Sequence, residues 1–457
     1  MPGILSSINM ASNALRMFSR AMETSGHNIA NVNTPGYSRQ TVEFKTNPAL
    51  TIYSAGWKAL GTGVGMSGIE RIRNEYLERS SHGSSGSLGK FQTIATMLKS
   101  VEGVYGEPGD NGVAAALDQF FDSWSALGSN PTEPAARLQV RHAGTVLTER
   151  IRGAHNQIVG LEARVNAEAK ATIQRINKLA DSISELNGSI RAFSVTSGTP
   201  NDLLDQRDSA IRELSGLVNV TVSDWPDGTR AVYIGGFNLV DNVGAHALPS
   251  DYDYIASTVT DGTNDYPIRS GTLAGLFQTL GMIDDQKAEI GALADELRTQ
   301  FNTIHATGIN ANGDTGINFF KPTGIAGAAD FSLSDEVLAS LNAIAAGTTG
   351  KPGDGGLALS LAGLRDTAMT ALGDQTFHAY YSGNIGRLGT NVSFYESARS
   401  TEAAVAAQIS SQMASVSGVS LDDEMADMIR FQRSYQAAAR ALMVFDQVAE
   451  DLIGMIR

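Results

Sequence analysis

The chain has 457 residues, 42% hydrophobic and 18% charged, with 48 acidic against 34 basic side chains and a net charge of −14. That length leaves room for several domains with real cores, and the acidic surplus disfavours nucleic acid and anionic membrane surfaces as partners. The absence of cysteine excludes disulfides, thiolate metal sites and cysteine nucleophiles. No stretch approaches the ~18 consecutive apolar residues of a membrane span. The first cation is Arg16 and no compact apolar block precedes it, so a cleavable secretory signal is not expected. The chain is expected to be cytoplasmic, or exported uncut.

The two ends show the same pattern. At the N-terminus, apolar residues recur at alternating spacings of four and three: Ile4, Ile8, Ala11, Leu15, Phe18, Met22, Ser25 and Ile29. At the C-terminus the stripe is Leu421, Met425, Met428, Tyr435, Leu442, Phe445, Ala449, Leu452 and Ile456, with Phe431 and Ala438 in the gaps. Such stripes mark helices that bury a narrow seam against another helix. Neither end has a neighbouring segment to cover that seam. The simplest solution is that the two ends cover each other, or the same elements in neighbouring copies, which points to an assembling protein.

The first helix, from residue 4 to about 31, is expected to stop at Asn31-Val32-Asn33-Thr34-Pro35-Gly36-Tyr37. Pro35 biases the residue before it away from helix, and Pro-Gly favours a type II turn with Gly36 at positive φ. Residues 41–44 and 50–53 read as short strands, followed by a glycine-rich stretch, 56–68. Gly63-Val64-Gly65-Met66-Ser67-Gly68 matches G-x-G-x-x-G. A dinucleotide site also needs a strand before the glycines and a helix opening after them. The preceding residues are a poor strand, so a glycine-rich turn is expected.

Residues 74–104 and 114–127 read as helices, the second with Leu117, Phe120, Phe121 and Trp124 on its apolar side and Gly128-Ser129-Asn130-Pro131 as its stop. Residues 135–193 form the longest helical stretch without proline. Its stripe runs Leu147, Ile151, Ala154, Ile158, Leu161, Val165, Ala169, Thr172, Ile176, Leu179, Ile183, Leu186, Ile190 and Phe193, with a stutter near Val165. A helix this long needs a long partner. Residues 377–416 are the first candidate and 273–304 the second. Between them, residues 218–222, 230–234 and 252–259 read as strands separated by Pro226-Asp227-Gly228 and Gly235-Gly236 turns. Residues 307–356 read as loops with short elements.

No constellation carries catalysis. None of the seven histidines has a partner at i,i+4, as a zinc hydrolase motif requires. His27 is expected to pack or cap. Asn310-Ala311-Asn312-Gly313-Asp314 lacks the glutamate that would complete a calcium loop and reads as a turn. Asp202, Asp205 and Asp208 read as helix initiation. Ser420 with Asp423 approximates a capping box. No cofactor or metal is expected, and a secreted enzyme with activity in residues 200–356 is the less favoured alternative.

The run Ser25-Gly26-His27-Asn28-Ile29-Ala30-Asn31-Val32-Asn33-Thr34-Pro35-Gly36-Tyr37-Ser38-Arg39-Gln40 resembles the N-terminal signature of bacterial flagellar axial proteins, the rod, hook and hook-associated set. Its Tyr-Ser-Arg-Gln ending resembles the hook-associated members. Residues 417–424, Phe431-Gln432 and Tyr435-Gln436-Ala437-Ala438 resemble that family's C-terminus, although Ser420 stands where Asn is common. Residues 200–208, 233–236 and 271–276 resemble its middle.

The resemblance implies a mainly α fold with a β-rich insert. Terminal coiled-coil helices form an inner domain from 1–36 and 420–457. A long-helix rod domain spans 37–199, 271–306 and 357–419, and an outward β domain spans 200–270, with or without 307–356. It implies a structural adaptor, extracellular on the flagellum and exported by the type III route without a cleaved signal. That adaptor is expected to form a ring at the distal hook end, join hook to filament and let flagellin polymerise. Its implied partners are copies of itself, the hook protein, a second junction protein and an export chaperone. A hook or rod protein is the alternative. The expected assembly seams are Ile4, Ile8, Leu15, Phe18, Met22 and Ile29, and Leu421, Met425, Met428, Tyr435, Leu442, Phe445 and Leu452. The turn motif is Asn28, Asn31, Asn33, Thr34, Pro35, Gly36 and Tyr37.

Overall fold

A computed structural model describes residues 2–53, 57–106, 112–194, 199–322, 324 and 327–455, with the side chains of residues 2, 3, 50–53, 57–60 and 194 left aside. Ile456 of the C-terminal stripe and Gly56 lie outside the described residues. In chain order the elements are α1 (Pro2–Ala30), β1 (Gln40–Thr46), β2 (Leu50–Tyr53), β3 (Trp57–Leu60), β4 (Val64–Arg71), α2 (Glu75–Tyr105), α3 (Val113–Ser129), α4 (Pro134–Ser194) and α5 (Asn201–Leu217). There follow β5 (Thr221–Asp224), β6 (Arg230–Ile234), β7 (Phe237–Val240), β8 (Asp251–Asp253), β9 (Thr258–Thr260), β10 (Asp265–Pro267) and α6 (Gly271–His305). Short α7 (Asp335–Ala339) and α8 (Gly356–Gly363) precede the long α9 (Phe377–Ser417) and α10 (Leu421–Gly454). The fold is mainly α with small antiparallel sheets, as expected. The sheets are β1-β4, β2-β3, β5-β6-β7 and β8-β9-β10.

Several local expectations are corrected. The G-x-G-x-x-G run is not a turn. From Val64 it is strand β4, paired antiparallel with β1 from Gln40↔Arg71 to Thr46↔Val64. A Cβ on Gly65 would lie 2.3 Å from Asn47 Oδ1, so the Asn47 side chain would have to shift to admit one. Residues 252–259 form a hairpin, not one strand. Asp253 Oδ1 accepts from the amides of Ile255 (2.9 Å) and Ala256 (3.0 Å), which folds the chain back between β8 and β9. Strands β3, within the run read as a poor strand, β7 and β10 were not expected. At three or four residues each they are too short to show a period.

The chain divides into two compact units: residues 1–87, 174–248 and 402–457, and residues 88–173 and 249–401. Sheet β5-β6-β7 belongs to the first and β8-β9-β10 to the second.

The second unit has a dense aromatic core. Phe120 and Trp124 of α3 meet Phe301 of α6 and Phe319 and Phe320 from the loop segment, with Phe120–Phe301 centroids 4.9 Å apart and Trp124–Phe319 5.0 Å apart. Phe319, Phe320, Phe331, Leu333 and Ile344 are thus held by burial despite the loop-like composition around them. At its edge His305 is 1% exposed. Its Nδ1 lies 2.7 Å from the Ile317 carbonyl, and its Nε2 accepts from the Ala345 amide at 3.0 Å. A carbonyl only accepts and an amide N–H only donates, so the neutral tautomer with the proton on Nδ1 is fixed. Burial pushes its pKa down to about 4.

A buried polar ladder joins α2, α6 and α9. Tyr105 donates to Gln286 Oε1 (2.9 Å), Gln286 to Asn384 Oδ1 (3.0 Å), and Gln278 to the Tyr395 hydroxyl (2.6 Å). Helix α6, the second candidate partner of the long helix, reaches it through Lys287 Nζ and Glu162 Oε2 at 2.8 Å.

The apolar stripe of α4 is buried as expected from Leu147 through Ala169. Beyond the stutter the expected Thr172, Ile176, Leu179, Ile183 and Ile190 are buried as well, joined by Ile173, Ala180 and Asn187. Asn187 turns inward where Leu186 was expected. Asn187 is satisfied there because its amide pairs with both backbone groups of Arg230, giving to the carbonyl (2.8 Å) and accepting from the N–H (3.1 Å). Phe193 is left 53% exposed.

Candidate assembly interface

The turn after α1 is built from its own side chains. The Asn31 amide caps the helix on His27 O (3.2 Å) and Asn28 O (3.1 Å), while Asn31 Nδ2 gives to His27 O (3.0 Å). Thr34 Oγ1 donates to Asn31 Oδ1 (3.1 Å). The Tyr37 amide then closes on Thr34 O at 3.2 Å, with Pro35 and Gly36 between them and Gly36 at φ +81°. This is the arrangement a type II turn requires. Asn33, Thr34, Pro35 and Gly36 are exposed.

Asn28 is 1% exposed and acts as a surrogate strand. Its Nδ2 gives to Gln40 O (2.8 Å), and its Oδ1 accepts from Gln40 N (3.0 Å) and the Tyr37 hydroxyl (2.7 Å). Every polar atom of the amide is engaged except one N–H. Burial, with Asp202, Asp205 and Glu424 nearby, pushes the Tyr37 phenol well above its usual range, so it stays a donor. His27 lies edge-on to Tyr37 at 5.6 Å, its Nε2 3.3 Å from Asp202 Oδ1. The expectation of packing is met, with a carboxylate partner added.

Beyond the turn, three consecutive residues clasp three elements. The Ser38 amide gives to Asp205 Oδ2 of α5 (3.0 Å). The Arg39 amide gives to Ser417 O (2.8 Å), and its guanidinium reaches Glu424 Oε1 (2.6 Å) and Asp427 Oδ2 (3.5 Å) of α10. Gln40 Nε2 gives to Asp202 Oδ1 (3.2 Å), and Gln40 Oε1 accepts from Asn201 (3.1 Å). Glu424 is the one side chain of α10 that is fully buried, among the described residues. Just before it, Ser420 Oγ accepts from the Asp423 amide at 3.4 Å, which caps the helix as expected.

The acid trio of α5 is where helix initiation was an incomplete reading. Only Asp202 lies in the first turn. Asp205 takes Arg71 Nη1 at 2.5 Å, and Asp208 takes Arg71 (3.0 Å), Arg73 (3.4 Å) and Arg230 (2.6 Å). Burial alone would raise the Asp208 pKa, but Arg230 first, then Arg71, Arg207 and Arg73, hold it below the usual carboxylate range. Burial pushes Arg207 down to about 10. Removing one partner from such a cluster strands a buried charge, at roughly 3–5 kcal/mol. The sequence held one clue: Arg71 and Arg73 alternate at the strand end, and Asp205 and Asp208 share a helix face at i,i+3.

The seam residues are unevenly buried. Helices α1 and α10 pack together. On α1, Ile4, Ile8, Leu15, Phe18, Met22 and Ile29 are half-buried, while the fully buried positions are the small Ala11, Ala21, Thr24 and Ser25 along with Asn28. On α10, Met428, Leu442 and Phe445 are half-buried together with Phe431 and Ala438. Leu421, Met425, Tyr435 and Leu452 are exposed. Phe44 of β1 bridges the pair, its ring 6.3 Å from Phe18 and 6.1 Å from Phe431. Ile429, Met443, Val444, Val448 and Ile453 are exposed as well, Met443 at 63%. The α10 helix thus has more apolar surface than α1 covers.

Chemically, this region can hold helices in register and present an apolar face. Among the described residues, no group of three His, Asp or Glu side chains is placed to hold a metal ion, and no helix is long and apolar enough to cross a membrane.

Three family models match along the chain. "Flagella basal body rod protein" matches residues 8–37, "Flagellar hook-associated protein FlgK helical domain" residues 98–320, and "Flagellar basal body rod FlgEFG protein C-terminal" residues 410–455. The flagellar hook-associated protein 1 of Bacillus subtilis is 29% identical, aligned over 98% of this chain and 97% of its own. That of Escherichia coli is 26% identical over 98% and 99%. The solved flagellar hook junction protein FlgK from Burkholderia pseudomallei shares the fold at 18% identity, with a TM-score of 0.64 over 74% of this chain and 100% of its own. The matched relatives are named as flagellar structural proteins, not enzymes. With a hook-associated model over the helical middle, axial-protein models at both ends and relatives aligned over 98% of its length, the chain belongs to the flagellar hook-associated protein 1 family.

Proposed function

We propose that this protein is a structural adaptor that assembles as a ring at the distal end of the flagellar hook, joins hook to filament and lets flagellin polymerise beyond it. The observation that carries the reading is the uncovered apolar surface of α10, with Met425, Ile429, Met443, Val444 and Ile453 in water. Covering a large apolar side chain is worth about 1.5–3 kcal/mol, so neighbouring copies that bury this face gain substantial free energy. The paired termini, 1–36 and 420–457, then form the inner coiled-coil layer, with the rest of the chain outside it. The seams work in two parts. Met428, Leu442 and Phe445 hold α10 on α1, while Leu421, Met425, Tyr435 and Leu452 meet the next subunit.

The partners in this reading are other copies of the chain, the hook protein, a second junction protein, and an export chaperone that shields the termini beforehand. The location is extracellular, at the hook–filament junction. Export proceeds without a cleaved signal, a route that a cysteine-free chain can take without cross-linking.

Immunogold labelling of purified hook–basal bodies with short filaments tests this. A single narrow band at the hook–filament boundary is the expected result. Label along the whole hook or rod would instead support a hook or rod axial protein, a reading favoured only by the rod-protein models that match the two ends. No label on the organelle would remove both.

A further inference from the structure

Beside the Pro35-Gly36 turn, the first unit contains a half-open cavity of about 350 Å³. Its lining mixes apolar Leu77, Ile409 and Met413 with polar Arg73, Ser84 and Arg212. Two of these polar groups have no partner. The Ser84 hydroxyl is buried without a hydrogen bond. The Arg212 guanidinium makes no hydrogen bond or ion pair that the described residues supply. Its Nη1 lies 4.0 Å from where a side chain on Gly36 would begin. The carboxylates in the same lining, Glu78 and Asp208, are committed to Arg73, Arg71 and Arg230. They do not neutralise Arg212. A buried hydroxyl and a half-buried guanidinium left unpaired each forfeit hydrogen-bond free energy, which an incoming acceptor restores.

We propose that this cavity is a docking socket for an exposed acidic side chain of a second copy of the chain, and this rests on the assembly reading above. The chemistry selects the ligand. A guanidinium offers a planar fork that suits a carboxylate, and the apolar lining receives the methylene stem. Charge complementarity selects the source. With 48 acids against 34 bases, each copy carries surplus carboxylates. On α10, Asp446 and Glu450 are exposed and make no ion pair among the described residues. They lie on the helix whose apolar face needs a neighbour. The socket's rim, residues 413–418, runs directly into α10. A carboxylate docked here locks one subunit's helix against the turn motif of the next. That gives the exposed Pro-Gly turn a role in recognition as well as in chain reversal.

The test uses the full-length chain with a photo-crosslinking side chain at Ser410, on the cavity wall, followed by peptide mapping. The expected result is an inter-copy cross-link to a peptide carrying Asp or Glu. It should fall roughly ten-fold in Arg212→Glu, since facing like charges repel by more than the ~1.4 kcal/mol that a factor of ten represents. Arg212→Lys should restore much of it. Circular dichroism and the thermal midpoint of both variants, compared with the unmodified chain, confirm folding. An undiminished cross-link in Arg212→Glu, or a cross-link only to peptides without an acid, overturns the socket while leaving assembly through α1 and α10 intact. Failure of the unmodified chain to self-associate removes both readings.

Discussion

The terminal layer and the aromatic core of the second unit bury apolar residues to different degrees. Around Phe120, Trp124, Phe301, Phe319 and Phe320 the side chains are sealed from solvent, ring against ring. Along α1 the large apolar residues are half-buried and the fully buried positions are small or polar, and on α10 a second apolar face lies open. The first region is a finished core; the second is part of one. In the assembly reading proposed above, the monomer keeps its permanent stability in the first kind of region. It leaves the second to be completed by neighbours.

The sharpest way to break this contrast is inside the finished core. Phe301→Ala should lower unfolding free energy by about 3–5 kcal/mol, because the surrounding rings cannot collapse into the space. Denaturant titration of the monomer measures it. A change below about 1 kcal/mol would mean that the core is not rigid.

His305 tests the same core with protons. Folded His305 takes a proton only near pH 4, whereas an unfolded histidine does so near its ordinary 6.5. Between those values the unfolded state binds more protons. Stability is therefore complete above about pH 6.5 and declines on acidification towards pH 4, by up to roughly 3 kcal/mol. Replacing His305 with Gln should flatten that slope in a thermal-melt series.

Asn28 is an exception within the terminal layer. It is a fully buried polar group in the terminal layer. Asn28→Ala should cost about 1–3 kcal/mol by leaving the Tyr37 hydroxyl and Gln40 backbone unsatisfied. The readout is faster amide exchange at Gln40, and unchanged protection there would show the bonds to be dispensable. Gly36→Val should cost about 1–2 kcal/mol through a β-branched residue at positive φ. Assembly like that of the unmodified chain would show that the turn accommodates it.

The smallest effect on folding comes with the largest on assembly. Met425→Asp should leave the monomer's main unfolding transition nearly unchanged, since the side chain is 57% exposed, yet abolish ring formation and motility. Normal swimming by that strain would sink the distinction between the two regions.

Much of this was legible in the residues. The four-three spacing of Ile4 through Ile29 and of Leu421 through Leu452 announced two seam helices, because a helix repeats its facing every seven residues. Pro35-Gly36 announced a turn with positive φ, because few other sequences accept that backbone. What escaped were contacts between residues far apart in sequence. Nothing local tells Asp208 that Arg71 and Arg230 will neutralise it, or Arg39 that Glu424 lies opposite, 385 positions away. The inward place of Asn187 on α4 was likewise missed, because it is drawn in by the backbone of β6 and not by its own polarity.

The sequence by itself determined the periodic elements, their caps and the breaks between them, since these depend on backbone sterics and on the facing of side chains within a few residues. Only the tertiary structure decided which charges are buried together, which glycines became strand, and which half of each apolar stripe is covered. Those outcomes depend on what arrives from elsewhere in the chain, and burial energy is set by the neighbour as much as by the residue.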